Sequence, residues 1–186
     1  NYRASLSGGA YTVQVVNIDE LYDQFAWGTA KHPLSIRHFI NYALDTWAIA
    51  PQYVLLLGKG VTYNQTTFNP AAANACLVPT YGVPASDALL AARNQQSTSP
   101  QVAISRVPAA NSVQVKNYLD KLIQYEHTQS DLFCDKEHIW RKDLLFLSQG
   151  DTGEVDINTA YTNAHRAALE GTVGYGGQVK GFFENN

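Results

Sequence analysis

An α/β domain with a mostly parallel sheet flanked by helices is what this 186-residue sequence predicts. Three observations carry the prediction. Short apolar segments alternate with stretches whose apolar residues recur at helical spacing. Val54–Leu57 is apolar at every position, as in a strand covered on both faces. The apolar segments also run into glycine-containing turns, Gly58-Lys59-Gly60 and Gly150-Asp151-Thr152-Gly153, where open α/β sheets gather ligands.

The elements follow in order. The opening N-Y-R-A-S-L-S-G-G reads as a helix end closed by Gly8 and Gly9. Tyr11 to Ile18 alternates like a strand, with Val13 and Val15 on one face. Asp19 caps a short helix through Leu21, Tyr22 and Phe25, and Gly28 breaks it. Pro33 and Ser35 introduce a helix over Leu34–Trp47, with an apolar stripe of Ile36, Phe39, Ile40, Ala43 and Trp47. Trp27, Trp47, Phe25 and Phe39 are expected in the core. Ala71 to Pro84 reads as loop with a short strand at Cys76–Val78, and a further short segment begins at Ser86 and Asp87. After a polar turn at Gln95–Pro100, Val102–Val107 is a strand. Ser112–Glu126 is an amphipathic helix with Val115, Tyr118, Leu119, Leu122 and Ile123 inward. Leu144–Leu147 is another apolar strand and Ile157–Leu169 a helix. The glycine-rich end is expected to add no strand. The Val13–Val16, Val54–Leu57, Val102–Ser105 and Leu144–Leu147 segments are expected to share one sheet, with Asp151 at its carboxyl edge. The domain divides into residues 1–130, a first subdomain, and 131–186, the beginning of a second.

Composition narrows the function classes. Thirteen Lys and Arg against sixteen Asp and Glu give a net charge of −3, and no basic cluster appears, so neither nucleic acid nor an anionic membrane is an expected partner. No apolar run is long enough to span a bilayer. Methionine is absent, and the chain is expected to be a processed or excised portion of a longer protein.

Four sets of residues suggest chemistry. Gly58-Lys59-Gly60 lacks the G-x-x-x-x-G-K-[ST] pattern of a phosphate loop, since Gly60 stands where a hydroxyl residue is needed; it reads as a tight turn leaving a strand. Cys76 and Cys134 fit neither a redox nor a zinc pattern; they read as buried thiols, with a disulfide or a catalytic thiol as the alternatives. His32, His38, His127, His138 and His165 form no H-E-x-x-H motif. Asp87 and Asp151 follow turns that suit either capping or a functional loop, and Arg106 is either a buried partner for one of them or solvated. Asp151, Glu154 and Asp156 offer carboxylates for structural calcium but depart from the EF-hand pattern, so no cofactor is expected.

Several ordered stretches carry a family likeness. They are I-D-E-L-Y-D-Q-F-A-W-G, P-L-S-I-R-H-F-I-N-Y-A, P-Q-Y-V-L-L-L-G-K-G, V-P-T-Y with A-S-D, Q-V-A-I-S-R-V-P-A and V-K-N-Y-L-D-K-L-I-Q-Y-E. In this order and spacing, over about Val15 to Asp151, the chain resembles the first part of the gingipain-type cysteine peptidase domain, a family that includes the sortase-like proteins of the type IX secretion system. The resemblance implies a caspase-like three-layer sandwich, incomplete here. It implies peptide-bond hydrolysis by a Cys–His dyad beyond this chain, with peptide or protein substrates, the remainder of the peptidase domain as partner, and a parent working outside the cytoplasm or at the cell envelope. It maps a histidine-orienting acid onto Asp151. Two positions depart from the family pattern: Gly58-Lys59 stands where G-D is usual, and Ser105-Arg106 where G-R is usual. A non-catalytic caspase-like module for interaction or secretion is the alternative, and an unrelated small-molecule α/β enzyme the third.

Overall fold

A computed structural model describes residues 2–129, 142–150, 154–171 and 177–185. The chain separates into two compact units, Asn1–Thr128 and Gln129–Asn186. The fold is mixed α/β, with short parallel sheets flanked by helices, as the sequence predicts for an incomplete caspase-like domain.

The first unit opens with two short 3-10 turns, Tyr2–Ala4 and Leu6–Gly8, the second closed at Gly9. The strand expected over Tyr11–Ile18 does not form. Without a neighbouring strand to complete a ladder, the alternating side chains stay out, and Val15 is 79% exposed. Helix α1, Ile18–Phe25, is capped by the Asn17 side chain, which accepts from the Asp19 amide at 3.1 Å, two residues before the Asp19 cap expected. Its end is set by Trp27 in left-handed backbone, with the Gly28 amide donating back to the Tyr22 carbonyl at 2.9 Å. That terminating position turns Trp27 outward. It is 90% exposed and not a core residue.

Helix α2, Leu34–Thr46, buries Ile36, Ile40 and Ala43. Phe39 is half-buried and meets Phe25 and Trp47 edge-on at 5.6 and 5.8 Å. Strand β1, Tyr53–Leu57, pairs in parallel with β2, Ala103–Val107, in the register Tyr53↔Ala103 through Leu57↔Val107. The continuous apolar run of β1 predicts cover on both faces, yet its burial alternates. Leu56 is buried among Leu21, Ile36, Ile40, Val78 and Leu90, with Val54 and Ile104 packed alongside, while Tyr53, Leu55 and Leu57 on the opposite face are exposed.

Between the strands lie α3, Tyr63–Phe68, and α4, Pro70–Ala75. The sequence reads Ala71–Pro84, and so most of α4, as loop with a short strand at Cys76–Val78, which does not form. Asn69 makes α4 a helix by accepting from the Ala71 and Ala72 amides at 3.0 and 3.3 Å, with Pro70 set for the first helical turn. A 3-10 turn, Asp87–Leu90, is tied to α2 by Arg37. This buried guanidinium donates Nε and Nη2 to the Leu89 carbonyl at 3.0 and 2.6 Å and lies 4.6 Å from the Tyr81 ring. Helix α5, Ser112–Gln129, follows β2. Val115, Leu119, Leu122 and Ile123 are half-buried as its periodicity predicts, whereas Tyr118 is exposed.

The second unit contains β3, Leu144–Gly150, α6, Glu154–Glu170, and β4, Val179–Asn185. β3 and β4 pair in parallel, from Leu144↔Val179 to Gly150↔Asn185. One sequence expectation is corrected here. The glycine-rich end does contribute a strand, because V-K-G-F-F finds its ladder partner 35 residues earlier in sequence, beyond any local pattern. Each unit thus holds one two-stranded parallel pair. Asp143 starts β3 and pins the approach to β4, accepting from the Gln178 amide at 3.0 Å and the Lys180 ammonium at 3.2 Å. Among the described residues no helix is long and apolar enough to cross a membrane.

Candidate functional site

Residues beyond the carboxyl ends of β1 and β2 form a cleft of about 560 Å³, lined by Lys59, Gly60, Thr80, Asp87, Arg106 and Gln114 among others. Such sheet edges are where α/β folds place their sites. The rim is built by continuing the ladder past the strands. The Gly58 amide donates to the Val107 carbonyl at 2.9 Å and the Lys59 amide to Ala109 at 3.0 Å. On its other side the Lys59 carbonyl accepts from the Leu77 and Val78 amides at 2.9 and 3.1 Å, and the Thr80 amide donates to Val61 at 3.2 Å. The turn expected from Gly58-Lys59-Gly60 is therefore clamped between residues 107–109 and 77–80.

Arg106 organises the floor. Its side chain is only 11% exposed. Nε and Nη2 form a two-pronged pair with Asp87 at 2.7 and 2.8 Å. Nη1 donates to the Gly58 and Val78 carbonyls at 2.8 and 2.7 Å, and Nη2 also to Pro79 at 3.1 Å. A guanidinium carries five N–H donors in a planar fork, and all five are used. Gly60 permits this arrangement: a β-carbon there would stand 3.0 Å from the Arg106 Cζ. Of the two sequence alternatives, the structure selects the buried pair for Arg106 and assigns Asp87 as its partner. The carbonyl contacts had no sequence signal, because the acceptors are backbone groups of two separate segments, at Gly58 and at Val78-Pro79.

Burial pushes the Asp87 carboxyl upward, but the Arg106 pair and a Thr80 hydrogen bond outweigh it and hold the carboxyl below its ordinary value of 3.8. A depressed folded value means that this stabilisation is present at neutral pH and is lost as pH falls through the folded value. Asp87→Asn is accordingly expected to cost about 2–3 kcal/mol at pH 7. The gap from the parent should begin to narrow below pH ~4, where the unfolded carboxyl takes up its proton, and close as pH falls through the lower folded value. Urea unfolding of both proteins between neutral and acid pH measures this, and a gap independent of pH would contradict it.

The remaining candidates are dispersed. Cys76 is a free thiol, fully buried, with Sγ 3.9 Å from the Val61 carbonyl. Burial lowers the pKa of the His32 imidazole, with His38 adding to the effect; its Nδ1 has no partner among the described residues and its ring meets Tyr63 at 5.1 Å. His38 Nδ1 lies 3.0 Å from the Phe25 carbonyl. His165 stacks on Phe146 at 5.8 Å, with Nδ1 2.8 Å from the Tyr161 carbonyl. Tyr22 was not a sequence candidate; burial raises its hydroxyl, with Cys76 and Asp19 contributing, and the group has no hydrogen-bond partner among the described residues. Cys134, His138 and Asp151 lie outside the described residues. No group of three or more His, Cys, Asp or Glu able to hold a metal occurs among the described residues.

No curated protein and no solved structure matches the chain significantly. A family model does, the one described as peptidase family C25, and it matches residues 1–180. With nearly the whole sequence covered, including both strands and the arginine-floored cleft between them, the chain belongs to peptidase family C25, the gingipain family that its ordered motifs resemble.

Proposed function

We propose that this chain is the first part of a cysteine peptidase domain whose Cys–His dyad is supplied by polypeptide beyond it. Membership of peptidase family C25 supports peptide hydrolysis as the reaction class. The observation that carries the finer reading is the burial of Cys76. A nucleophilic thiolate must reach a substrate carbonyl, and Cys76 is fully enclosed with its sulfur turned to the Val61 carbonyl. Cys76 is then a packing residue and the attacking thiol lies elsewhere.

In this reading Asp151 orients the missing histidine. It follows directly on Gly150, the last residue of β3, and a carboxylate beside an imidazole favours the protonated ring formed during proton transfer. The parent acts on peptide or protein substrates, outside the cytoplasm or at the cell envelope.

The test uses the intact gene product and a peptidyl thiol trap. Modification should map to one low-pKa cysteine beyond residue 186, and Cys76→Ser should retain peptidase activity. A trap that labels Cys76 or Cys134, or activity lost in Cys76→Ser with the fold intact, would overturn the assignment. Uniformly inert thiols would instead support the non-catalytic interaction module.

A further inference from the structure

We propose that the cleft at the carboxyl edge of β1 and β2 binds a peptide carboxylate through Lys59. The charged groups lining this cleft do not balance. Arg106 and Asp87 are the only other charged residues lining the cleft, and they neutralise one another at 2.7 and 2.8 Å. All five Arg106 donors are committed, so Arg106 has none left for a ligand. Lys59 is exposed and makes no side-chain hydrogen bond or ion pair among the described residues. It is the cleft's one uncompensated charge, positive on a chain whose net charge is −3.

Lys59 is also held in place. Its amide and carbonyl are both bonded, to Ala109 and to Leu77 and Val78, so the lysine stem leaves a fixed backbone point at the rim. A fixed anchor reduces the ordering cost of meeting a ligand. The cleft volume falls in the ordinary range of ligand sites, about 300–1,000 Å³, and Pro108 and Ala110 add apolar wall to it. An ammonium at an apolar wall suits a carboxylate on a short carbon stem, as in a glutamate side chain or a peptide C-terminus.

The choice of a peptide as ligand rests on the peptidase reading, but the test needs no turnover. Three fluorescent peptides of one sequence separate the sources: one blocked at both ends with a central glutamate, one blocked with glutamine, and one with glutamine and a free C-terminus. Anisotropy titrations of the full 186-residue chain at low salt should show at least one carboxylate peptide binding about fivefold more tightly than the blocked glutamine peptide. The tighter of the two identifies the carboxylate source. Lys59→Gln should abolish the difference and Lys59→Glu should reverse it, while Lys121→Gln, an equal charge loss on α5 outside the cleft, should preserve it. Equal binding of all three peptides, no binding at millimolar concentration, or a preference surviving in Lys59→Gln would overturn the proposal. A parent lacking the dyad would leave the binding result unchanged, so the two readings fail separately.

Discussion

Replacing Arg106 by alanine is expected to destabilise the first unit by about 3–5 kcal/mol. The loss is not that of one ion pair. Truncation strands the Asp87 carboxylate, only 23% exposed, and removes the donors that satisfy the Gly58, Val78 and Pro79 carbonyls. Breaking one partner of a buried pair leaves the other charge uncompensated, and each orphaned acceptor adds a desolvation cost. Arg106→Lys should fall between alanine and the parent, because an ammonium keeps the charge but cannot serve acceptors arranged around a planar fork. Denaturant unfolding supplies the measurement. A double Arg106→Ala, Asp87→Ala variant should cost less than the sum of its parts, since neither charge is then stranded. An Arg106→Ala protein within about 1 kcal/mol of the parent would remove Arg106 from its place as organiser of the cleft.

Gly58→Ala should cost about 2–4 kcal/mol. Gly58 has φ +147°, a conformation that side-chain-bearing residues rarely adopt. A β-carbon would also lie 2.9 Å from Leu77 Cβ and 3.0 Å from Val78 Cγ2. Neither neighbour can yield easily, because the Leu77 and Val78 amides are both bonded to the Lys59 carbonyl. Gly60→Ala is the informative comparison. Its β-carbon meets chiefly the end of the Arg106 side chain, and the cost should be smaller, about 1–2 kcal/mol. Equal losses at the two glycines would mean that backbone conformation at Gly58 is not the constraint inferred here.

The elements that were legible in the sequence are those whose signal is local. The α2 stripe of Ile36, Ile40 and Ala43, the apolar β1 and β2, and the periodic α5 and α6 all declare themselves within a dozen residues. The misreadings share the opposite property. The Val13–Val15 alternation is strand-like but has no ladder partner, and β4 is glycine-interrupted but has one. Trp27 is apolar, yet its backbone ends a helix and turns it to solvent. For the cleft, the sequence offered Arg106 and Asp87 as possible partners because both follow turns or strand ends. The three carbonyls completing the arrangement could not be read, since a backbone acceptor leaves no mark in residue type. Lys59 stood out as the centre of the Gly58-Lys59-Gly60 turn and as a departure from the family pattern, and the structure adds that it is the unpaired charge of the site among the described residues.

The convergence of residues 58, 78, 79 and 87 on one side chain bears on how the protein can change its length. The chain leaves this point and returns to it twice, through 59–77 and through 88–105, and each return is fixed at its ends by hydrogen bonds to Arg106 or by the β1–β2 ladder. The outer parts of these excursions, such as the turn at 94–99 held by its own Asn94 and Ser97 side chains, are secured locally. Lengthening a surface loop between fixed ends costs little, growing only with the logarithm of its length. Insertions at 94–99 can therefore accumulate without moving the cleft, and the surface around a constant floor is free to diversify.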